Sequence, residues 1–121
     1  MGELEYDKVN DSGDRRSFST GSVRDIRTGK GRYDLLPAHA LKRLAKHYEN
    51  GAAKYGDRNW EKGQPLCSYF DSMVRHAYNY LEGDRSEDHL AAVAWNAFAM
   101  MHTELMIKAG KLPPEFNDMP E

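Results

Sequence analysis

Between Pro37 and Lys108 apolar residues return every three or four positions, whereas residues 1 to about 30 show neither that period nor sustained alternation. The pattern predicts three helices. The first opens at Pro37, because proline suits a first helical position whose N–H would lack a partner anyway. Its apolar stripe is Leu41, Leu44, Ala45 and Tyr48. Asn50-Gly51 offers a left-handed stop, and Ala52-Ala53-Lys54 would carry the helix one turn further. The second runs from Leu66 to Leu81, with Phe70, Val74, Ala77 and Leu81 on one side. Gly83 stops it, and Asp84 or Ser86 caps the next helix. The third spans about Glu87 to Lys108, striped by Leu90, Val93, Ala97, Met101 and Leu105 and ended by Gly110 and Pro113-Pro114. The chain thus divides into a polar arm (1–30), a helical domain (31–110) and a tail (111–121). Bundles usually want a fourth helix, so the expected fold is an all-α bundle completed by oligomerisation.

Composition narrows this picture. A chain of 121 residues is one domain in size. With 17 basic against 19 acidic side chains and a net charge of −2, it lacks the basic excess of proteins that bind long nucleic acid. A local basic pocket for a small anion is still compatible with that sum. Cys67 is the only cysteine, which excludes an intrachain disulfide or a thiolate cluster within one chain; it reads as a small buried hydrophobe. No apolar run comes close to the ~20 residues of a membrane span. No basic-then-apolar leader opens the chain, and Tyr6 stands where myristoylation at Gly2 would want Ser or Thr. The expected compartment is the cytoplasm, without membrane partners.

Chemistry concentrates in AAKYGDRNWEKG, Ala52 to Gly63. Lys54, Arg58 and Lys62 are like charges that a phosphate chain would relieve, and the arginine fork fits phosphate oxygens. Tyr55 and Trp60 can stack on a base; the plainer reading packs Trp60 onto the helices. Arg32 and Asp34 offer a further phosphate contact and an internal salt bridge. Glu49 sits near a helix C-terminus, where the dipole opposes it, or is simply solvated there. Arg75 and His76 fall mid-helix; the arginine has Asp71 and Glu82 as surface partners worth only ~0.5 kcal/mol, and the histidine reads equally as a hydrogen-bonded core residue. His89 and Asn96, seven apart, share a face of the third helix. His89 could instead face water from the first turn. Asn96 is the strongest anomaly, since its amide competes with the helical backbone. The Met-rich AFAMMHTELM reads as core filler, and no Gly-rich phosphate loop, zincin pair or serine elbow is present.

The run GKGRYDLLPAHALKRLAKHYENGAAKYGDRNWEKG, followed by DSMVRHAYNYLEGD and HLAAVAWN, resembles a phage-associated family of dATP/dGTP diphosphohydrolases, similar to the all-α MazG-type nucleoside triphosphate pyrophosphohydrolases. The resemblance covers about Gly29 to Leu105. It implies a homo-oligomeric helical enzyme that converts a (deoxy)purine nucleoside triphosphate to monophosphate and pyrophosphate with Mg²⁺ or Mn²⁺. The superfamily's metal site pairs E-x-x-E on one helix with E-x-x-D on a later one. Here the second acid of the first pair falls on Glu49, while Lys46 takes the place of the first; the later pair, His-rich in this family, falls on His89 and on position 92, which is Ala. Other family-like positions are Lys54, Tyr55, Asn59, Trp60, Arg75, His76 and Asn96.

The roles implied are catalytic for Glu49 and His76, metal-binding for Glu49 and Asp88, and substrate-binding for Arg32, Lys54, Tyr55, Arg58, Asn59, Trp60, Arg75, His89 and Asn96. Mg²⁺ wants hard oxygen ligands, and the departures at Lys46 and Ala92 leave enough carboxylate for one ion and too little for two. The alternative is therefore a non-catalytic phage protein that needs no cofactor and sequesters a nucleotide or a cyclic nucleotide defence signal. Either function expects a small-molecule nucleotide as partner, and expects Glu49, Arg75, His76 and Asn96 in one cavity with the cationic aromatic loop at its mouth.

Overall fold

The computed structural model describes residue 6 and residues 8–121, so the reading at Gly2 lies outside it. The described chain forms two compact units, one ending at Leu36 and the other running Pro37–Glu121. The fold is all-α apart from one small hairpin in the first unit.

That hairpin pairs β1 (Arg15–Ser17) antiparallel with β2 (Val23–Asp25), with Arg16 opposite Arg24. Three-residue strands are too short for alternation to show in a sequence. Asp25 anchors the unit by accepting from Ser12 and from Lys30 Nζ at 2.9 Å, contacts that hold its carboxyl well below the usual range.

In the second unit α1 spans Ala38–Tyr55, α2 Leu66–Leu81 and α3 His89–Lys108. Pro37 is the residue before α1 rather than its first: its carbonyl accepts the first helical hydrogen bond, from Leu41 N at 2.9 Å. The Asn50-Gly51 stop is overridden, and α1 runs on until Gly56 turns the chain at φ 93°. A 3-10 turn (Asn59–Lys62) follows, then Gly63 at φ 72°, where a Cβ would stand 2.7 Å from Leu112 Cδ1. Only glycine fits there. Asp88, not Asp84 or Ser86, caps α3 by accepting from Ala91 N at 3.1 Å. The tail returns to the start of α2, with Cys67 N donating to Asp118 Oδ1 at 2.9 Å; Cys67 is exposed rather than buried.

The helices bury faces that only partly match the predicted apolar stripes: Leu44 and Tyr48 of the α1 stripe face inward, but most of the other stripe residues do not. On α1 the inward side is Leu44, His47, Tyr48, Gly51 and Ala52, while Leu41 and Ala45 are exposed. On α2 Leu66 and Tyr69 are buried, whereas Phe70, Ala77 and Leu81 face out. On α3, which packs against both other helices, the buried line is His89, Ala92, Asn96, Ala99 and Thr103, at alternating steps of three and four. Leu90, Met101 and Leu105 stay exposed. The small alanines let α1 and α2 approach closely, and the polar members face the same interior. Since α3 is apolar on its outer side as well, it is long and apolar enough to cross a membrane by length and composition, contrary to the expectation that no run comes close.

Candidate functional site: an aromatic cavity and a histidine corner

A cavity of about 360 Å³ opens among α1, the 59–62 turn, α2 and α3. Its size is within the range of small-molecule sites. Aromatic rings form the walls. Trp95 meets Tyr69, Tyr48 and His47 at centroid distances of 6.0, 6.1 and 6.3 Å, and Trp60 stands edge-on to His102 at 4.9 Å and to Tyr48 at 6.2 Å. Such edge contacts lock the ring planes. Trp60 thus packs onto the helices and lines the cavity at once. The lining also takes Arg58, Asn59 and Gln64 from the α1–α2 connection, and Tyr55, Ser68, Ser72, His76, Ala92 and Asn96 from the helices.

Two polar positions explain themselves in this setting. Asn96, 4 % exposed, donates from Nδ2 to Ala92 O at 2.8 Å and lies 3.5 Å from Ser72 Oγ, which satisfies an amide that would otherwise be stranded in the core. Arg58 is the described non-glycine residue with positive φ, at 57°, and is held by Glu61 at 2.8 Å. Strained backbone of this kind gathers where a loop must present a side chain.

The site residues expected from sequence divide into two sets. Tyr55, Arg58, Asn59, Trp60, His76 and Asn96 line the cavity. Glu49, Lys54, Arg75, His89 and Asp88 do not. The expected convergence of Glu49 and Arg75 with His76 and Asn96 is therefore corrected: Glu49 stands on the outer face of α1 with its side chain 70 % exposed and Lys46 Nζ 3.3 Å away, and Arg75 is exposed on α2. Each sits where the helical turn points away from α3. Lys54 reaches over the Tyr55 ring at 5.0 Å. Arg32 belongs to the first unit, where Nε and Nη2 both hold Asp34 at 2.8 Å, the internal salt bridge anticipated.

Beside the cavity lies a corner of titratable groups at the α2–α3 turn. His89 is 3 % exposed rather than facing water. Its Nδ1 is 2.9 Å from His76 Nδ1, and Glu87 Oε1 is 3.6 Å from the same His76 atom. On the other edge of the ring His89 Nε2 is 3.1 Å from Asp84 Oδ2, close but without the alignment of a directed hydrogen bond. Ser86 N and Oγ donate to Asp84 at 2.8 and 2.7 Å, which together with His89 holds its carboxyl at about 2. Burial pushes the His76 imidazole below its usual value, the Glu87 carboxylate opposing.

Neither carboxylate expected to hold Mg²⁺ fits that ion. Asp88 gives both oxygens to Arg43, at 2.6 Å each, a pair that holds its pKa at about 2. Glu49 is outside the cavity. None of the described residues lining the cavity is an acid, whereas Mg²⁺ needs hard oxygen donors in near-octahedral array.

Sequence reasoning missed His47, Tyr48, Tyr69, Ser72 and Trp95 as walls, and Asp84 and Glu87 at the corner. A usable signal existed: Tyr69, Ser72 and His76 are spaced three and four apart, as are His89, Ala92 and Asn96. Following the polar anomalies round each helix would have found the inner faces that the apolar stripes concealed.

The model of one protein family, dATP/dGTP diphosphohydrolase, N-terminal, matches residues 20–111. No curated protein and no solved structure matches the chain.

Proposed function

From the premise that the chain belongs to the dATP/dGTP diphosphohydrolase family, we propose that the aromatic cavity receives the base and sugar of a purine deoxynucleoside triphosphate, which is cleaved to the monophosphate and pyrophosphate. The observation that carries this reading is a cavity of about 360 Å³ walled by Trp60, Trp95, Tyr48 and Tyr69, with the amide and hydroxyl groups of Asn96, Ser72 and Gln64 on its lining. Flat rings stack on a base at ~1–3 kcal/mol per contact, and a few polar groups orient it. Arg58, exposed beside the cavity and paired with Glu61, has the fork to exchange that partner for phosphate oxygens. The chemistry is water addition at the α-phosphorus with pyrophosphate as leaving group.

One observation favours a second reading, a nucleotide binder without turnover: the acid-free cavity lining of this single chain. The two separate in one experiment. The full chain is mixed with each of the four deoxynucleoside triphosphates and with divalent metals, and pyrophosphate and bound nucleotide are both measured. Release from dATP and dGTP supports the hydrolase; tight purine binding with no release under any metal supports the binder. A chain that binds no nucleotide overturns both.

A second copy of the chain is part of this proposal. Phe70 and Leu81 on α2, and Leu90, Phe98, Met101 and Leu105 on α3, are all more than a third exposed. Fully covering such a side chain is worth ~1.5–3 kcal/mol, so a self-complementary face built from them would hold a dimer. Sedimentation showing monomer alone at micromolar concentration would defeat it.

A further inference from the structure

The corner at the α2–α3 turn has a geometry that packing alone leaves unexplained. Two imidazoles present the same ring atom, Nδ1, to one another at 2.9 Å. Asp84 stands against the opposite edge of His89, 3.1 Å from Nε2, and is itself fixed by two bonds from Ser86. A carboxylate at that distance electrostatically favours the His89 proton on Nε2, which leaves the Nδ1 lone pair facing His76. One donor atom from each of His76, His89 and Glu87 falls within 4.8 Å of the other two. His89 is almost fully buried, His76 is largely so, and Glu87 reaches in from the exposed turn.

We propose that His76, His89 and Glu87 form a binding site for a divalent transition metal of the zinc class, with Asp84 as the group that orients His89. Imidazole and carboxylate together suit Zn²⁺ and its first-row neighbours, whereas Mg²⁺ prefers an all-oxygen shell. An ion ~2.1 Å from both nitrogens sees them about 90° apart at the observed separation, a cis arrangement, and a small ring shift opens this toward tetrahedral. Asp84 stands where the carboxylate of a carboxylate–histidine–metal relay sits, a short realignment away from the hydrogen bond that sets the tautomer of most histidine ligands. Three protein ligands leave a position open, as in catalytic rather than structural metal sites. His76 also lines the aromatic cavity. If the nucleotide reading holds, the open position is suited to a phosphate oxygen; the ion site itself does not depend on that reading.

The test uses the metal alone. The full chain, stripped with chelator and confirmed folded by circular dichroism, is titrated with Zn²⁺ and with Co²⁺ in the absence of nucleotide. The expected result is one ion per chain, visible Co²⁺ d–d bands that Zn²⁺ abolishes, and no displacement by millimolar Mg²⁺. His76→Gln removes the bands. Glu87→Gln and Asp84→Asn, which alter partly exposed carboxylates and keep the helices intact, weaken Zn²⁺ by ~10- to 100-fold. A folded chain that takes up neither ion overturns the proposal, as does uptake whose affinity is unchanged in His76→Gln and Glu87→Gln. Because no nucleotide is present, failure here leaves the cavity's reading standing, and failure to bind nucleotide leaves the metal site standing.

Discussion

The aromatic cavity and the histidine corner meet at one side chain and are otherwise built on opposite plans. The cavity is lined by five tyrosine and tryptophan rings and the imidazoles of His47 and His76, with no acid among its described lining residues. The corner, a few ångströms further along α2 and α3, holds two imidazoles and two carboxylates within mutual reach. Flat hydrophobic walls recognise a base but cannot stabilise charge that develops on phosphate. Close-set ionisable groups do the reverse. Separating them lets the walls exclude water without burying unpaired charge, which is costly, while His76 belongs to both regions and can join them.

The sharpest break of this contrast is Trp95→Ala. It removes the ring shared by His47, Tyr48 and Tyr69, and the expected loss is ~3–5 kcal/mol of stability by denaturant titration, with the cavity collapsing. Trp60→Ala is the cleaner probe because its ring stands on the short turn between α1 and α2 rather than on a helix. Purine deoxynucleotide binding is expected to weaken ~5- to 150-fold by calorimetry, with Zn²⁺ uptake unchanged. Equal loss of both would mean that the two regions are one.

Asp88→Ala acts on the fold beneath the corner. It deletes the α3 cap and the Arg43 pair, for an expected ~1–2 kcal/mol in stability and little change in nucleotide affinity. The wild-type carboxyl, held at about 2 chiefly by Arg43, lies below its unfolded value near 3.9. Its contribution is therefore complete above about pH 4 and is lost as acid carries the pH down to about 2; Asp88→Asn should flatten that part of the stability–pH curve. The smallest effect belongs to Glu49→Gln. Standing outside the cavity beside Lys46, it should leave nucleotide binding within about twofold of wild type. A large loss would place a second chain's cavity against Glu49.

The helices were legible in the chain because period and punctuation are local. Leu66–Leu81 begins after Pro65 and stops before Gly83, and these signals act within one turn. The cationic aromatic stretch was legible too: its Gly, Arg and Trp already said that the backbone turns sharply and shows a ring. What misled was the choice of face. Phe70, Leu81, Leu90 and Leu105 are large apolar side chains, yet they are outside, because α2 and α3 meet along the line of Tyr69, Ser72, His76, Ala92 and Asn96.

The sequence by itself determined how many helices form, roughly where each lies and where α2 stops, and that Asn96 is out of place in its helix. Only the tertiary structure decided which of those side chains meet. Helix formation depends on residues three or four apart, whereas the pairing of His76 with His89 and of Arg43 with Asp88 depends on how far α3 rotates as its alanines let the other helices close in. A rotation of about 100° per residue separates a ligand facing a cavity from a charge facing water, and no local signal sets that angle.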